Sequence, residues 1–154
     1  MTVSLVEVPA AGLGPWIEAT TREFTDALIQ SGESPAAARK RAEDSLARLF
    51  PDGHLADLHC VFDAVDDGEV VGRIWLGPAF GDDETAWWVW DVAIERGSRG
   101  RGYGRATMLL AEDEARARGA TSIGLNVFGS NAVARHLYES LGYETMSLQL
   151  RKNI

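Results

Sequence analysis

Between Glu95 and Arg105 the chain reads ERGSRGRGYGR, with four arginines and four glycines in eleven residues. The whole protein carries a formal charge of −8 and only fifteen Lys and Arg, so this clustering points to something anionic. Gly100, Gly102 and Gly104 allow close approach of the backbone to a ligand, because no Cβ intervenes. A glycine-rich turn that leads into a helix presents several main-chain N–H groups in one direction, at the positive end of the helix dipole. Such a turn is an anion nest suited to phosphate. Two familiar phosphate loops do not fit. The dinucleotide fingerprint G-x-G-x-x-G needs glycine where Arg105 stands, and no Gly-Lys-Ser/Thr follows for a triphosphate loop. On glycine spacing alone, a tight turn with solvated arginines fits equally well.

The other residues able to do chemistry are few. Tyr138 lies in NAVARHLYESL, which reads as an amphipathic helix beginning at Asn131. A phenol with a pKa near ~10 stays protonated at neutral pH and can donate a proton to a leaving group. The run WWVWD holds three tryptophans and Asp91; strand alternation puts Trp88 and Trp90 on one face and Trp87 on the other. Core packing, a dimer contact and an aromatic wall for a cation all fit that pattern. His54, His59 and His136 are scattered, so no metal site is expected, and Cys60 within a strand reads as inert core.

The elements that must position these groups follow from periodicity and punctuation. VSLVEV is a short strand stopped by Pro9, and Gly12, Gly14 and Pro15 mark a loop. A helix follows that places Ile17, Phe24 and Leu28 near one face. Ser34-Pro35 starts a second helix that stops before Pro51. Three strands come next, LHCVFDAV, VVGRIWLG and TAWWVWDVAI, separated by Gly- and Asp-rich turns. The Arg/Gly loop, a helix ended by Gly119, the strand TSIGLNVF, the Tyr138 helix and a final strand YETMSLQLR complete the order. The fold class is mixed α/β. Consecutive strands predict antiparallel pairing, and the strand–helix–strand unit after Trp87 predicts a parallel pair.

The 154 residues read as a single domain, 1–154. No apolar run approaches the ~20 residues that span a bilayer, the N-terminus lacks a signal-peptide pattern, and the lone Cys60 fits a reducing interior. A cytoplasmic location without membrane attachment is the expectation. Charge is uneven. Up to Asp91 there are six Lys/Arg against seventeen Asp/Glu, a net −11; beyond it there are nine against six, a net +3. Two ligands of opposite sign would suit this split, and the acidic balance argues against nucleic acid.

The loop Arg99-Gly100-Arg101-Gly102-Tyr103-Gly104 resembles the Q/R-x-x-G-x-G/A motif of the GNAT superfamily of acyl-CoA-dependent N-acyltransferases. Downstream, Asn131-x-x-Ala134-x-x-x-Tyr138-x-x-x-Gly142-Tyr143 resembles that family's next motif, at the expected distance. The resemblance runs from about Trp88 to Tyr143. It implies a mostly antiparallel central sheet with helices on both faces, and acetyl-CoA as cosubstrate with no metal. The amides of Gly100, Arg101, Gly102, Tyr103, Gly104 and Arg105, with Arg99, would hold the CoA pyrophosphate. The backbone of Val92, Ala93 and Ile94 would line the pantetheine and thioester, with the Ile94 N–H on the acyl carbonyl. Asn131 would contact the cofactor and Tyr138 would protonate the departing thiolate.

The resemblance implies no single general base. Some family members carry Glu five residues before the helix Asn, where this chain has Asn126; others carry it in the strand, where this chain has Trp88. Asp91, Glu84 and a water chain remain candidates. The implied activity is acetyl transfer to an amine, small-molecule or peptide, by direct attack. The alternatives are an idle acyl-CoA-binding sensor and transfer to an alcohol or thiol. Family domains commonly end in two strands where this chain has room for one, so the open edge is compatible with a homodimer.

Overall fold

In the computed structural model, which describes residues 1–154, helix and strand boundaries follow local chemistry. Strand β1 spans Val3–Glu7, and helix α1 spans Leu13–Gln30. Gly14 and Pro15, expected in a loop before this helix, fall instead in the first turn of α1, where a missing N–H costs nothing. Helix α2, Pro35–Leu49, starts as expected: the Ser34 hydroxyl accepts from the Ala37 N–H, with Pro35 at the first helical position. The strands β2, Cys60–Asp66, β3, Glu69–Pro78, and β4, Ala86–Ile94, follow. Helix α3, Tyr103–Ala117, strand β5, Ser122–Leu125, and helix α4, Ala132–Ser140, complete the regular structure.

The five strands form one sheet in the order β1-β2-β3-β4-β5. The first four pair antiparallel, and β5 joins β4 in parallel, as the connections predict. Helix α3 covers one face, where Met108, Ala111 and Ala115 pack on Cys60, Phe62, Ile74, Leu76, Trp87 and Val89. Helices α1 and α2 cover the other, where Leu13, Trp16, Leu46, Leu49 and Phe50 pack on Val61 and Trp75. Cys60 is fully buried, and burial pushes its thiol up to about 11, so it is core rather than nucleophile.

Two further expectations fail. YETMSLQLR forms no strand: residues 144–154 are exposed and make no main-chain hydrogen bond. The sheet therefore has five strands where the sequence pattern suggests six. Period-two alternation marks a segment that can pair, but a strand needs a neighbour to pair with. The run from Leu58 also enters the sheet only at Cys60, because Leu58 has φ 65°, a left-handed turn conformation.

Candidate functional site

Two local irregularities build the site. The first is where β4 and β5 part. Their pairing runs from Ala86↔Ser122 to Val89↔Leu125 and stops there, although β4 continues to Ile94. The Glu95 N–H donates to the Val71 carbonyl on β3, at 2.9 Å. Main-chain groups alternate in direction along a strand, so the N–H of Ile94 turns the opposite way, into the opening. The Ile94 carbonyl points there too and accepts from Arg99 Nε at 2.9 Å.

The second is a bulge in β4. Trp75 faces Asp91 and Leu76 faces Val89, so Trp90 has no partner on β3. Trp87 and Val89 stay in the α3-side core. Trp88 and Trp90 lie together on the other face, 6.4 Å between ring centroids, as alternation predicts. The bulge then sets Asp91 on that same face, opposite Trp75, where simple alternation would have turned it away.

Asp91 belongs to a charged network that the sequence does not reveal. Arg73 Nε donates to Asp91 Oδ2 at 3.1 Å, and its other arm donates to Glu23 Oε2 of α1 at 2.6 Å. The Arg73 side chain is 9 % exposed and its guanidinium lies 5.9 Å from the Trp16 ring. An arginine inside the apolar strand VVGRIWLG was the one available signal, since a buried cation needs anionic partners. Burial raises the Asp91 carboxyl to about 6, and the attraction of Arg73 holds it from rising further. Its Oδ1 accepts no hydrogen bond and is not sealed from solvent. Arg73→Ala is expected to cost about 3 kcal/mol by urea denaturation, because it strands Asp91. Glu23→Ala, at a side chain 49 % exposed, should cost less than ~1 kcal/mol. Equal costs would contradict the picture of a buried network.

The Arg/Gly loop has the geometry its composition suggests. Gly100 and Gly102 have φ 73° and 87°, which glycine adopts without strain. None of the main-chain N–H groups from Arg99 to Arg105 has an acceptor, and Gly102 leaves α3 without a side-chain cap. The side chains divide. Arg101 lies over the Tyr103 ring, 5.3 Å from its centroid, and Arg105 bonds Ser140 of α4. Tyr103 is buried and donates to Asp66 at 2.7 Å, so only its amide faces the loop. A Cβ on Gly104 would come 3.2 Å from Leu137 and 3.8 Å from Ile94, so α3, α4 and the end of β4 meet here. Val92 packs on the α3-side core, and Ala93 faces Arg73 across β3.

Helix α4 brings Asn131 and Tyr138. The Asn131 side chain caps the helix by accepting from Ala134 N–H at 3.2 Å. Tyr138 is half-buried beside Tyr143, 5.9 Å between centroids, and its hydroxyl has no partner. Burial, then the charge of Asp91, raise its pKa, so the phenol stays protonated. The other carboxylate candidate for the base drops out, and His59 is no base either. Glu84 precedes β4 at the end opposite Ile94, about 30 Å of strand away at ~3.3 Å per residue. His59 accepts on Nδ1 from Trp75 Nε1 at 3.0 Å, and burial lowers its pKa, so Nε2 holds the proton of a neutral ring and no lone pair is free. No group of three or more His, Cys, Asp or Glu is placed to hold a metal, and no helix is long and apolar enough to cross a membrane.

Comparison with known proteins identifies the fold and the family. The sequence pattern of the acetyltransferase (GNAT) family matches residues 18–143. The N-acetyltransferase YycN of Bacillus subtilis is 22 % identical over 156 residues, covering all of both chains. Its crystal structure superposes with a TM-score of 0.91 over 99 % of each chain. A mycothiol acetyltransferase of Rhodococcus jostii is 37 % identical over 109 residues, 70 % of this chain and 33 % of that protein. A streptothricin acetyltransferase of Streptomyces lavendulae is 28 % identical over 142 residues, 82 % of this chain and 74 % of that protein.

Proposed function

The chain belongs to the GNAT acetyltransferase family, and from that we propose that it transfers the acetyl group of acetyl-CoA to an amine by direct attack on the thioester. The observation that carries this reading is the row of seven acceptor-free amides, Arg99 to Arg105, beside the opening between β4 and β5. The amides from Gly100 to Arg105, with Arg99, bind the pyrophosphate through charge-assisted hydrogen bonds. Val92, Ala93 and Ile94 run along the pantetheine arm, and the Ile94 N–H donates to the acyl oxygen as negative charge develops there. Asn131, besides capping α4, touches the cofactor.

Acetyl-CoA supplies the activated acyl group; the chain supplies proton handling and alignment. Asp91 Oδ1 accepts the proton of the incoming ammonium. With a pKa of about 6 it is mostly ionised at neutral pH yet still a competent base. As the C–N bond forms and the C–S bond breaks, the Tyr138 hydroxyl donates its proton to the sulfur, and the second proton that the nitrogen sheds on becoming an amide restores the phenol. The acceptor enters from the α1/α2 face, where Trp88 and Trp90 stand next to Asp91. A cationic amine suits this wall and the −11 charge of the first 91 residues. The relatives named for mycothiol and streptothricin favour a small molecule over a peptide. The reducing cytoplasm suits the single cysteine.

Tyr138→Phe separates an enzyme from an acyl-CoA sensor. We expect kcat to fall about 100-fold, the low end for loss of a general acid, with acetyl-CoA affinity unchanged. Thiol release from acetyl-CoA in the presence of an amine panel reads the first, and calorimetry reads the second. Unaltered turnover in the variant would remove Tyr138 from the reaction.

A further inference from the structure

Asp91 and Glu23 share one edge of one guanidinium. Arg73 Nε donates to Asp91 Oδ2, and the adjacent Nη2 donates to Glu23 Oε2. Nε–H and the Nη2 hydrogen beside it are parallel donors, spaced to take both oxygens of a single carboxylate. Here that edge is split between two carboxylates on different elements, which leaves Asp91 Oδ1 without a partner. The division depends on α1. Trp16, Thr20 and Glu23 are spaced i, i+4 and i+7 along one face of that helix, and the first two are buried. Glu23 lies at the open end of the face, its side chain half exposed. An ion pair so exposed adds little stability. What it does instead is hold one arm of a buried arginine.

We propose that Glu23 is a positioning residue: by occupying Arg73 Nη2 it keeps the arginine on one oxygen of Asp91 and leaves the other oxygen open to take a proton. The proposal rests on the reading of Asp91 as the base. Without Glu23, Nη2 would be a buried charged donor with no acceptor, which costs its full desolvation. The same edge of the guanidinium already faces Asp91, so Oδ1 is the acceptor at hand. Closing on it turns a single hydrogen bond into a side-on pair and stabilises the ionised carboxylate. Asp91 would then be both a weaker base and a blocked one. The groups that face Asp91 are Arg73 from β3, Glu23 from α1 and the Tyr138 phenol from α4. Asp63 of β2 stands opposite Arg73 in register and offers the guanidinium a competing acceptor.

Two substitutions separate position from charge. Glu23→Ala frees Nη2, whereas Glu23→Gln removes the charge but keeps a carbonyl oxygen for Nη2 to donate to. Crystal structures of both variants, with an NMR titration of the Asp91 carboxyl carbon assigned through Asp91→Asn, read the effect without an acceptor amine. We expect Arg73 on both Asp91 oxygens in Glu23→Ala and on one in Glu23→Gln. The Asp91 carboxyl should titrate lower in Glu23→Ala than in Glu23→Gln. In thiol-release assays with acetyl-CoA and the amine panel, Glu23→Ala should approach the about 10²- to 10⁴-fold loss in kcat of a missing base, and Glu23→Gln should keep most of the activity. Variants that titrate alike would show that only the charge of Glu23 matters, which overturns the proposal. An Asp91 that titrates higher in Glu23→Ala, with Arg73 turned to Asp63, overturns it equally. The underlying chemistry fails separately: if Asp91→Asn keeps the acid limb of kcat/KM, Asp91 is not the base and Glu23 positions nothing that the reaction uses.

Discussion

Asp91→Asn should lower kcat by about 10²- to 10⁴-fold at neutral pH, the usual range for loss of a general base. The pH dependence is the sharper signature. Protonated Asp91 cannot take a proton from the acceptor. In the native enzyme kcat/KM should therefore rise with pH through about 6, where burial has moved this carboxyl from its ordinary value, and level off above it. Asparagine is isosteric and can still accept from Arg73, so the fold should hold and the rise near pH 6 should vanish. A variant that keeps this acid limb would show that another group takes the proton. Water relayed from bulk solvent would then be the leading candidate.

Gly102→Glu should abolish measurable binding of acetyl-CoA. At φ 87° any side chain is strained, at a cost of about 1–3 kcal/mol. The new carboxylate would also stand among the amides proposed to bind the pyrophosphate. Displacing even two charge-assisted hydrogen bonds, worth ~1.5–3 kcal/mol each, weakens binding about 100-fold or more. Isothermal titration calorimetry reads the loss, and a thermal melt confirms that the variant is folded. A folded variant with native affinity would mean that the loop does not hold the cofactor.

The loop was legible in the sequence because glycine spacing and a following helix are local properties. So were the Ser34 and Asn131 caps and the two faces of the tryptophan run. What decides the position of Asp91 was not. The bulge at Trp90 turns Asp91 onto the face of Trp75 and Trp88, and nothing in WWVWDVAI announces it, because a bulge is set by pairing with β3. The Glu23–Arg73–Asp91 network joins three elements far apart in the chain, so no spacing rule finds it. The final strand was misread for the converse reason. Its alternation is real, but pairing needs an edge that the chain does not bring to its own tail.

One measurement bears most directly on the central claim: a crystal structure of the protein grown with acetyl-CoA. The account predicts the pyrophosphate over the amides of Gly100 to Arg105. It places the thioester oxygen at the Ile94 N–H, between the parted strands β4 and β5, and the sulfur within hydrogen-bond reach of the Tyr138 hydroxyl. Acetyl-CoA bound elsewhere, with the loop and the β4–β5 opening unfilled, would contradict it.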